Sequence, residues 1–162
     1  MKVLISTSSF CEFSSSPMEL LSKKKWDLTL NPHGRKMKHQ EIIDLAKDVN
    51  YIIAGTETYD KRLLNKLTNL KIISRVGVGL DNIDIDYAKR KGILVLNTPL
   101  SPSLAVAEFT ISLMLNSLKK LNETSLDAMR GLWNKKSGFL LSKKTIGIVG
   151  AGNIGKKVIK LM

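Results

Sequence analysis

Two stretches of the chain carry residues whose types and spacing could do chemistry. Near its end, the apolar, β-branched run Thr145-Ile-Gly-Ile-Val149 leads into Gly150-Ala-Gly152-Asn-Ile-Gly155, followed by a helix-compatible run to Leu161. The spacing Gly-x-Gly-x-x-Gly has a mechanical meaning between a strand and a helix. Gly150 would make the tight turn, Gly152 would let backbone approach a pyrophosphate, and Gly155 would let the helix pack closely, its N-terminus facing the phosphates. The second stretch is Ser74-Arg75-Val76-Gly77-Val78-Gly79-Leu80-Asp81-Asn82-Ile83-Asp84. Its two glycines leave backbone N–H groups accessible, and Arg75 adds a fixed cation able to pair with a carboxylate or phosphate. Taken alone, the same residues also make an ordinary tight turn with a solvated arginine.

These stretches must be positioned by the elements around them. Strands are predicted over Lys2–Thr7, Asp27–Leu30, Tyr51–Ala54, Lys71–Ser74 and Ile93–Leu96. Helical patterns alternate with them. Ser16-Pro17-Met18-Glu19 reads as a helix start, with Ser16 as N-cap, Pro17 at the first helical position and Glu19 completing a capping box. Helices are also expected over Gln40–Asp48, from Asp60 to Leu67, and from an Asp84 cap to Lys91, where Gly92 stops it. Strands apolar on both faces and separated by helices predict a doubly wound parallel α/β sheet covered on both sides. After Pro99 to Pro102, a helix is expected from Ser103 to Leu121. Its apolar residues cover more than one stripe, which calls for burial on several sides. Residues 122–143 read as a polar, lysine-rich connection before a further strand at Thr145–Val149.

Composition narrows the function classes. The chain has 162 residues, 43% hydrophobic and 25% charged, which suits one globular domain or one domain and part of another. No apolar run is long enough to span a membrane and no signal-like segment opens the sequence, so a cytoplasmic protein is expected. The single cysteine, Cys11, agrees with a reducing compartment. The net charge of +12 invites a nucleic-acid reading. However, Asp127 is the last acidic residue and eight cations follow it, and lysine dominates with little aromatic interleaving. That pattern argues for a solvated surface over base or phosphate readout, and no nucleic-acid partner is expected.

Taken together, Arg75-Val-Gly-Val-Gly-Leu-Asp-Asn-Ile-Asp84, Lys91-Gly-Ile-Leu-Val-Leu-Asn-Thr-Pro99, Ala105-Val-Ala-Glu108, Trp133 and Thr145-Ile-Gly-Ile-Val-Gly-Ala-Gly-Asn-Ile-Gly155 resemble the D-isomer-specific 2-hydroxyacid dehydrogenases. The likeness is strongest to the 3-phosphoglycerate dehydrogenase-like branch, in its N-terminal portion.

The resemblance implies a flavodoxin-like substrate domain over residues 1–98 and the start of an NAD-binding Rossmann domain over 99–162. It implies that backbone at Val78 and Gly79 holds a substrate carboxylate and that Arg75 helps to bind a phosphorylated substrate. Thr98 would contact the cofactor, and Asn153 and Ile154 would lie beside the pyrophosphate with Gly150, Gly152 and Gly155. The expected substrate is a small 2-hydroxy or 2-keto acid, the cofactor is NAD with NADP not separated from it, and the long helix implies a homodimer. The implied chemistry is hydride transfer between C2 and the nicotinamide, with a histidine as acid/base, a glutamate orienting it and an arginine on the carboxylate. Those three residues are expected beyond Met162, so no catalytic residue is assigned here and the chain alone is expected to be inactive. His33 and His39 match no such position, and Asp81, Asp84 and Glu108 read as caps and structural acids. No metal ligands are expected. The sequence also admits a non-catalytic binding or dimerisation module derived from the same family. Because the strand at Thr145–Val149 has no partner strand after it, poor order is expected beyond about residue 122.

Overall fold

The computed structural model describes residues 1–162, which divide into two compact units, Met1–Pro99 and Leu100–Met162. The first unit is built on five short strands: β1 (Lys2–Ile5), β2 (Asp27–Leu30), β3 (Tyr51–Ala54), β4 (Ile72–Arg75) and β5 (Leu94–Leu96). They pair in the order β2-β1-β3-β4-β5, every pair parallel. Parallel neighbours cannot be joined by a tight turn, so each connection carries a helix. These are α1 (Ser16–Ser22), α2 (His39–Ala46), α3 (Lys61–Lys66) and α4 (Ile85–Arg90). The order is that of a flavodoxin-like doubly wound sheet, with its reversal between β1 and β3.

Register places the core. Leu4 lies opposite Ile52, Ile52 opposite Ile73, and Ile73 opposite Val95, so one row of apolar side chains crosses one face of the sheet. Ile42 and Ala46 of α2, Leu63 and Leu64 of α3 and Ala88 of α4 close over that row, all buried. Each buried Ile or Leu among them contributes about 1.5–3 kcal/mol relative to exposure. The other face differs from the expectation of full cover. Val3 and Ile5 are buried, but Tyr51, Ile53 and Ile72 are half-buried, and Leu94 and Leu96 are exposed. Helix α1 is the reason: it buries none of its own residues and so shields little of the sheet.

Helix ends follow the polar side chains at them. The Asp60 and Asp84 carboxylates accept hydrogen bonds from the backbone N–H groups of Leu63 and Tyr87, each at 2.9 Å, capping α3 and α4. Gly92, at φ +72°, ends α4. Helix α1 starts one residue earlier than expected: Ser15 is its N-cap position, and the Ser15 hydroxyl donates to the Glu19 carboxylate. At α2, Glu41 accepts from the Lys38 N–H at 2.8 Å and from both terminal nitrogens of Arg35.

The second unit comprises α5 (Ser103–Lys119), α6 (Leu121–Met129) and α7 (Asn153–Leu161), with α7 packed on α5. Two expectations fail here. On α5, Ser103 and Ala107 are buried, while Leu104, Phe109 and Leu113 are about half exposed or more, so this unit alone leaves the apolar breadth of the helix uncovered. Residues 121–129 form a helix where a connection was expected. Lys120 in the left-handed region separates it from α5, and good helix formers such as Leu121, Glu123, Leu126 and Ala128 sustain it. Within the segment for which poor order was expected, α6 and α7 are helical. No strand forms at Thr145–Val149, because all five strands of the sheet belong to the first unit and a strand needs a partner for its backbone groups.

Replacing Ile52, at the centre of the buried row, by Ala is expected to lower the unfolding free energy by about 2–5 kcal/mol, read from urea denaturation. Acid sensitivity has a named source as well. The hydrogen bond from Arg35, then that from the Lys38 N–H, holds the Glu41 carboxyl at about 2, below its ordinary 4.5. Its folded value lies below its unfolded one, so the stabilisation is complete above about pH 4.5 and is lost as pH falls towards about 2. Glu41→Gln is expected to flatten the stability–pH curve in that window, measured by urea unfolding across a pH series.

Candidate functional site

Ligands of open parallel sheets bind beyond the carboxyl ends of the strands, commonly where strand order reverses. At the reversal between β1 and β3 the space is filled by the protein's own polar groups. The Glu57 carboxylate, only 2% exposed, accepts from the Gly55 N–H at 2.8 Å and the Ser6 hydroxyl at 3.1 Å through a single oxygen, Oε2. The Ser6 hydroxyl also meets the Tyr59 hydroxyl at 2.8 Å. Burial pushes the Tyr59 phenol well above its ordinary value, with the Ser6 hydrogen bond opposing and the Glu57 charge adding to the rise. A Cβ on Gly55 would stand 2.8 Å from Thr7 Oγ1, so the two loops are closed on each other.

One strand further on, the loop after β4 is held at both ends. The Val76 N–H donates to the Ala54 carbonyl at 2.8 Å. Gly77 and Thr98 bond reciprocally: the Gly77 N–H donates to Thr98 Oγ1 at 2.8 Å, and the Thr98 N–H donates to the Gly77 carbonyl at 2.9 Å. Asn97 Nδ2 donates to the Val78 carbonyl at 2.7 Å. At the far end, Asn82 Nδ2 donates to the Glu57 carbonyl at 2.6 Å, and the Tyr59 N–H donates to the Asn82 carbonyl at 2.7 Å. The carbonyls of residues 76–78 are thus all engaged, whereas the N–H groups of Val78 and Gly79 make no hydrogen bond within the chain.

Arg75 lies along this loop. Its Nη1 donates to the Val76 carbonyl at 2.7 Å, and its Nε is buried without a partner. Gly77, at φ +137°, leaves room for the guanidinium, which a Cβ there would overlap. Two free N–H groups beside a guanidinium have the chemistry of an anion-binding corner, while the Arg75 Nε itself is buried. Arg75, Val78 and Gly79 therefore stand together as expected. Thr98 Oγ1 accepts from Gly77 and so positions the same loop, with its own hydroxyl proton left to donate.

In the second unit the three glycines and the helix start after them have the local geometry that the spacing predicts, without the strand ahead of them. Gly150 adopts φ +94°; Gly152 has open space where a Cβ would be; a Cβ on Gly155 would overlap the Gly150 carbonyl. Asn153 and Ile154 begin α7, whose N-terminus has no side-chain cap and no acid in its first turn. An uncapped helix N-terminus over an open glycine fits a nucleotide phosphate.

Other side chains that could do chemistry are engaged elsewhere. His39 Nε2 lies 3.0 Å from the Thr58 carbonyl, and His33 is 3.9 Å from Glu41. Asp81 stands beside Gly79, Asp84 is a cap, and no three His, Cys, Asp or Glu side chains gather to hold a metal ion. Sequence reasoning missed Glu57, Asn82 and Asn97. A carboxylate three residues beyond the apolar strand β3 was the one available signal.

Comparison with known proteins agrees with this geometry. The family described as D-isomer specific 2-hydroxyacid dehydrogenase, catalytic domain, matches residues 3–151. A D-3-phosphoglycerate dehydrogenase of Methanocaldococcus jannaschii is 38% identical over 124 residues, 75% of this chain and 24% of that protein. A hydroxypyruvate reductase of Thermotoga maritima is 35% identical over 144 residues, 87% of this chain and 46% of that protein. The chain thus spans less than half the length of these relatives. Among solved structures, NAD+-bound 3-phosphoglycerate dehydrogenase of Entamoeba histolytica superposes with a TM-score of 0.80 at 28% identity, covering 99% of this chain and 50% of that one. The TT0316 protein of Thermus thermophilus does so with a TM-score of 0.89 at 25% identity, covering 99% and 52%. With a parallel sheet that presents Arg75 and two free N–H groups, and a family match over most of its length, this chain belongs to the D-isomer specific 2-hydroxyacid dehydrogenases, on their phosphoglycerate dehydrogenase-like branch.

Proposed function

We propose that the chain supplies the acid-binding loop and the nucleotide turn of an NAD-dependent oxidoreductase acting on D-2-hydroxy acids. The observation that carries this reading is the pair of free N–H groups at Val78 and Gly79 in the loop that the Arg75 guanidinium lies along. Those N–H groups hold the substrate carboxylate, and Arg75 adds a fixed positive charge next to it. Thr98, Asn97 and Asn82 keep the loop in place, so little ordering is left to be done when the acid binds. The glycine turn and the start of α7 hold the cofactor pyrophosphate, with the first-turn N–H groups directed at it. The bound dinucleotide supplies the hydride acceptor for C2 of the acid. The family resemblance assigns the acid/base to a histidine that neither His33, beside Glu41, nor His39, beside Thr58, matches in position, so the chain by itself is expected to bind without turnover. A homodimer is the reading for the exposed apolar residues of α5, and a cytoplasmic location for the protein.

Two variants test the reading. Gly152 is at φ −75° with nothing within 4 Å of its Cβ position, so Gly152→Val leaves the fold intact while filling the phosphate approach. NADH binding by the unaltered chain and its loss in this variant, with unchanged circular dichroism, is the expected result in titration calorimetry. Concentration-dependent dimerisation with no NADH binding would carry the dimerisation-module reading instead. Gly77→Ala displaces the Arg75 guanidinium and is expected to weaken D-glycerate binding by at least about tenfold, measured by the same method.

A further inference from the structure

Helix α7 carries a charge pattern that its own stability does not call for. Its fourth and fifth residues are Lys156 and Lys157, Lys160 follows, and none of its nine residues is an acid. The N-terminal end of a helix is positive, so cations at the close of its first turn are unfavourable, and an acid or a polar cap is the usual occupant there. α7 has neither. No ion pair of the chain involves Lys156 or Lys157.

Their position on the helix directs both side chains to the glycine turn. Val158 is the one buried residue of α7, and Asn153 and Lys156 lie on the face away from it, with Lys157 at the side of that face. The two lysines come three and four residues after Asn153, which makes them its neighbours on the helix surface. Each Cα–Cβ bond of a helix leans toward the N-terminus, so a side chain covers the turn before its own Cα. Lys156 and Lys157 stand about 4.5 and about 6 Å along the axis from Asn153, a span that the four-carbon stem of lysine covers. Both ammonium groups are therefore able to reach the space in front of the first-turn N–H groups. Gly152, with nothing within 4 Å of its Cβ position, keeps that space open.

We propose that Lys156 and Lys157 are phosphate-binding residues of the nucleotide site, reaching back over Asn153 to neutralise a dinucleotide pyrophosphate held by the glycine turn. Each of the two phosphates is ionised, so the bound ligand offsets both cations and the positive end of the helix together. The inference rests on the reading of residues 150–155 as the nucleotide turn.

The test compares the unaltered chain with the double variant Lys156→Gln, Lys157→Gln, by titration calorimetry with NADH at low and at physiological ionic strength and by thermal unfolding. The double variant is expected to bind NADH at least about fivefold more weakly at low salt, and its affinity is expected to fall less steeply as salt is added. Its unfolding midpoint is expected to be unchanged or higher, because the two cations oppose the helix dipole. Lys160→Gln, a full turn beyond Lys156, is expected to keep the affinity within about twofold. Undiminished NADH binding in the double variant would overturn the assignment and leave the nucleotide turn standing. A loss of affinity accompanied by a lower midpoint, or reproduced in full by Lys160→Gln, would overturn it as well, by making the effect one of folding or of net charge. If the unaltered chain does not bind NADH in the millimolar range, the nucleotide turn falls and the assignment with it.

Discussion

One carboxylate oxygen organises the ligand edge of the sheet. Glu57 Oε2 takes hydrogen bonds from the Gly55 N–H and the Ser6 hydroxyl, and through Ser6 it is linked to the buried Tyr59 hydroxyl. A charge this deeply buried is tolerated only while its hydrogen bonds are made, so the loops after β1 and β3 are held in one arrangement. Asn82 carries that constraint onward by bonding the Glu57 carbonyl, and the far end of the 76–81 loop becomes fixed to it. Ala54, Asn97 and Thr98 fix the near end. What remains between the two anchors is a short stretch whose carbonyls are used and whose N–H groups at Val78 and Gly79 are free. The binding corner is thus a by-product of satisfied polar groups around it.

Charge is partitioned in a way that the total conceals. The excess of lysine lies largely after Asp127, while at the edge of the first unit the loop after β2 carries Arg35, Lys36 and Lys38 and the loops after β3 and β4 carry Glu57, Asp60, Asp81 and Asp84. In the first unit α3 and α4 each spend an N–H group on their own N-cap acid, Asp60 and Asp84, which stabilises six-residue helices that would otherwise be marginal. The terminus of α7 has neither a side-chain cap nor an acid in its first turn. Local stability and ligand binding draw on the same unsatisfied backbone donors, and a given helix can use them for one or the other.

Most of the first unit was legible because its strands are short apolar runs bounded by caps and glycines. Asp60, Asp84 and Gly92 act where their residue types predict, and β2 and β3 have the expected limits. Reading failed where an outcome depends on a partner. The run Thr145–Val149 has the pattern of a strand, but pattern does not supply a neighbour to hydrogen-bond with. The apolar breadth of α5 suggested burial, and its own unit does not provide enough surface to cover it.

Within the candidate site, Arg75, Gly77, Gly79 and the three glycines of the turn announced themselves by type and spacing, because cations and residues without a Cβ are needed there whatever the surroundings. Glu57, Asn82 and Asn97 did not, since each acts through a bond to a residue at least 19 positions away or through burial that no single stretch reveals. By itself, therefore, the sequence determined the parallel α/β plan, the family and the positions of the glycine-rich corners. Only the tertiary structure decided which N–H groups stay free, which helix ends are closed and which face of the sheet is open, because these depend on how polar groups far apart in the chain satisfy one another.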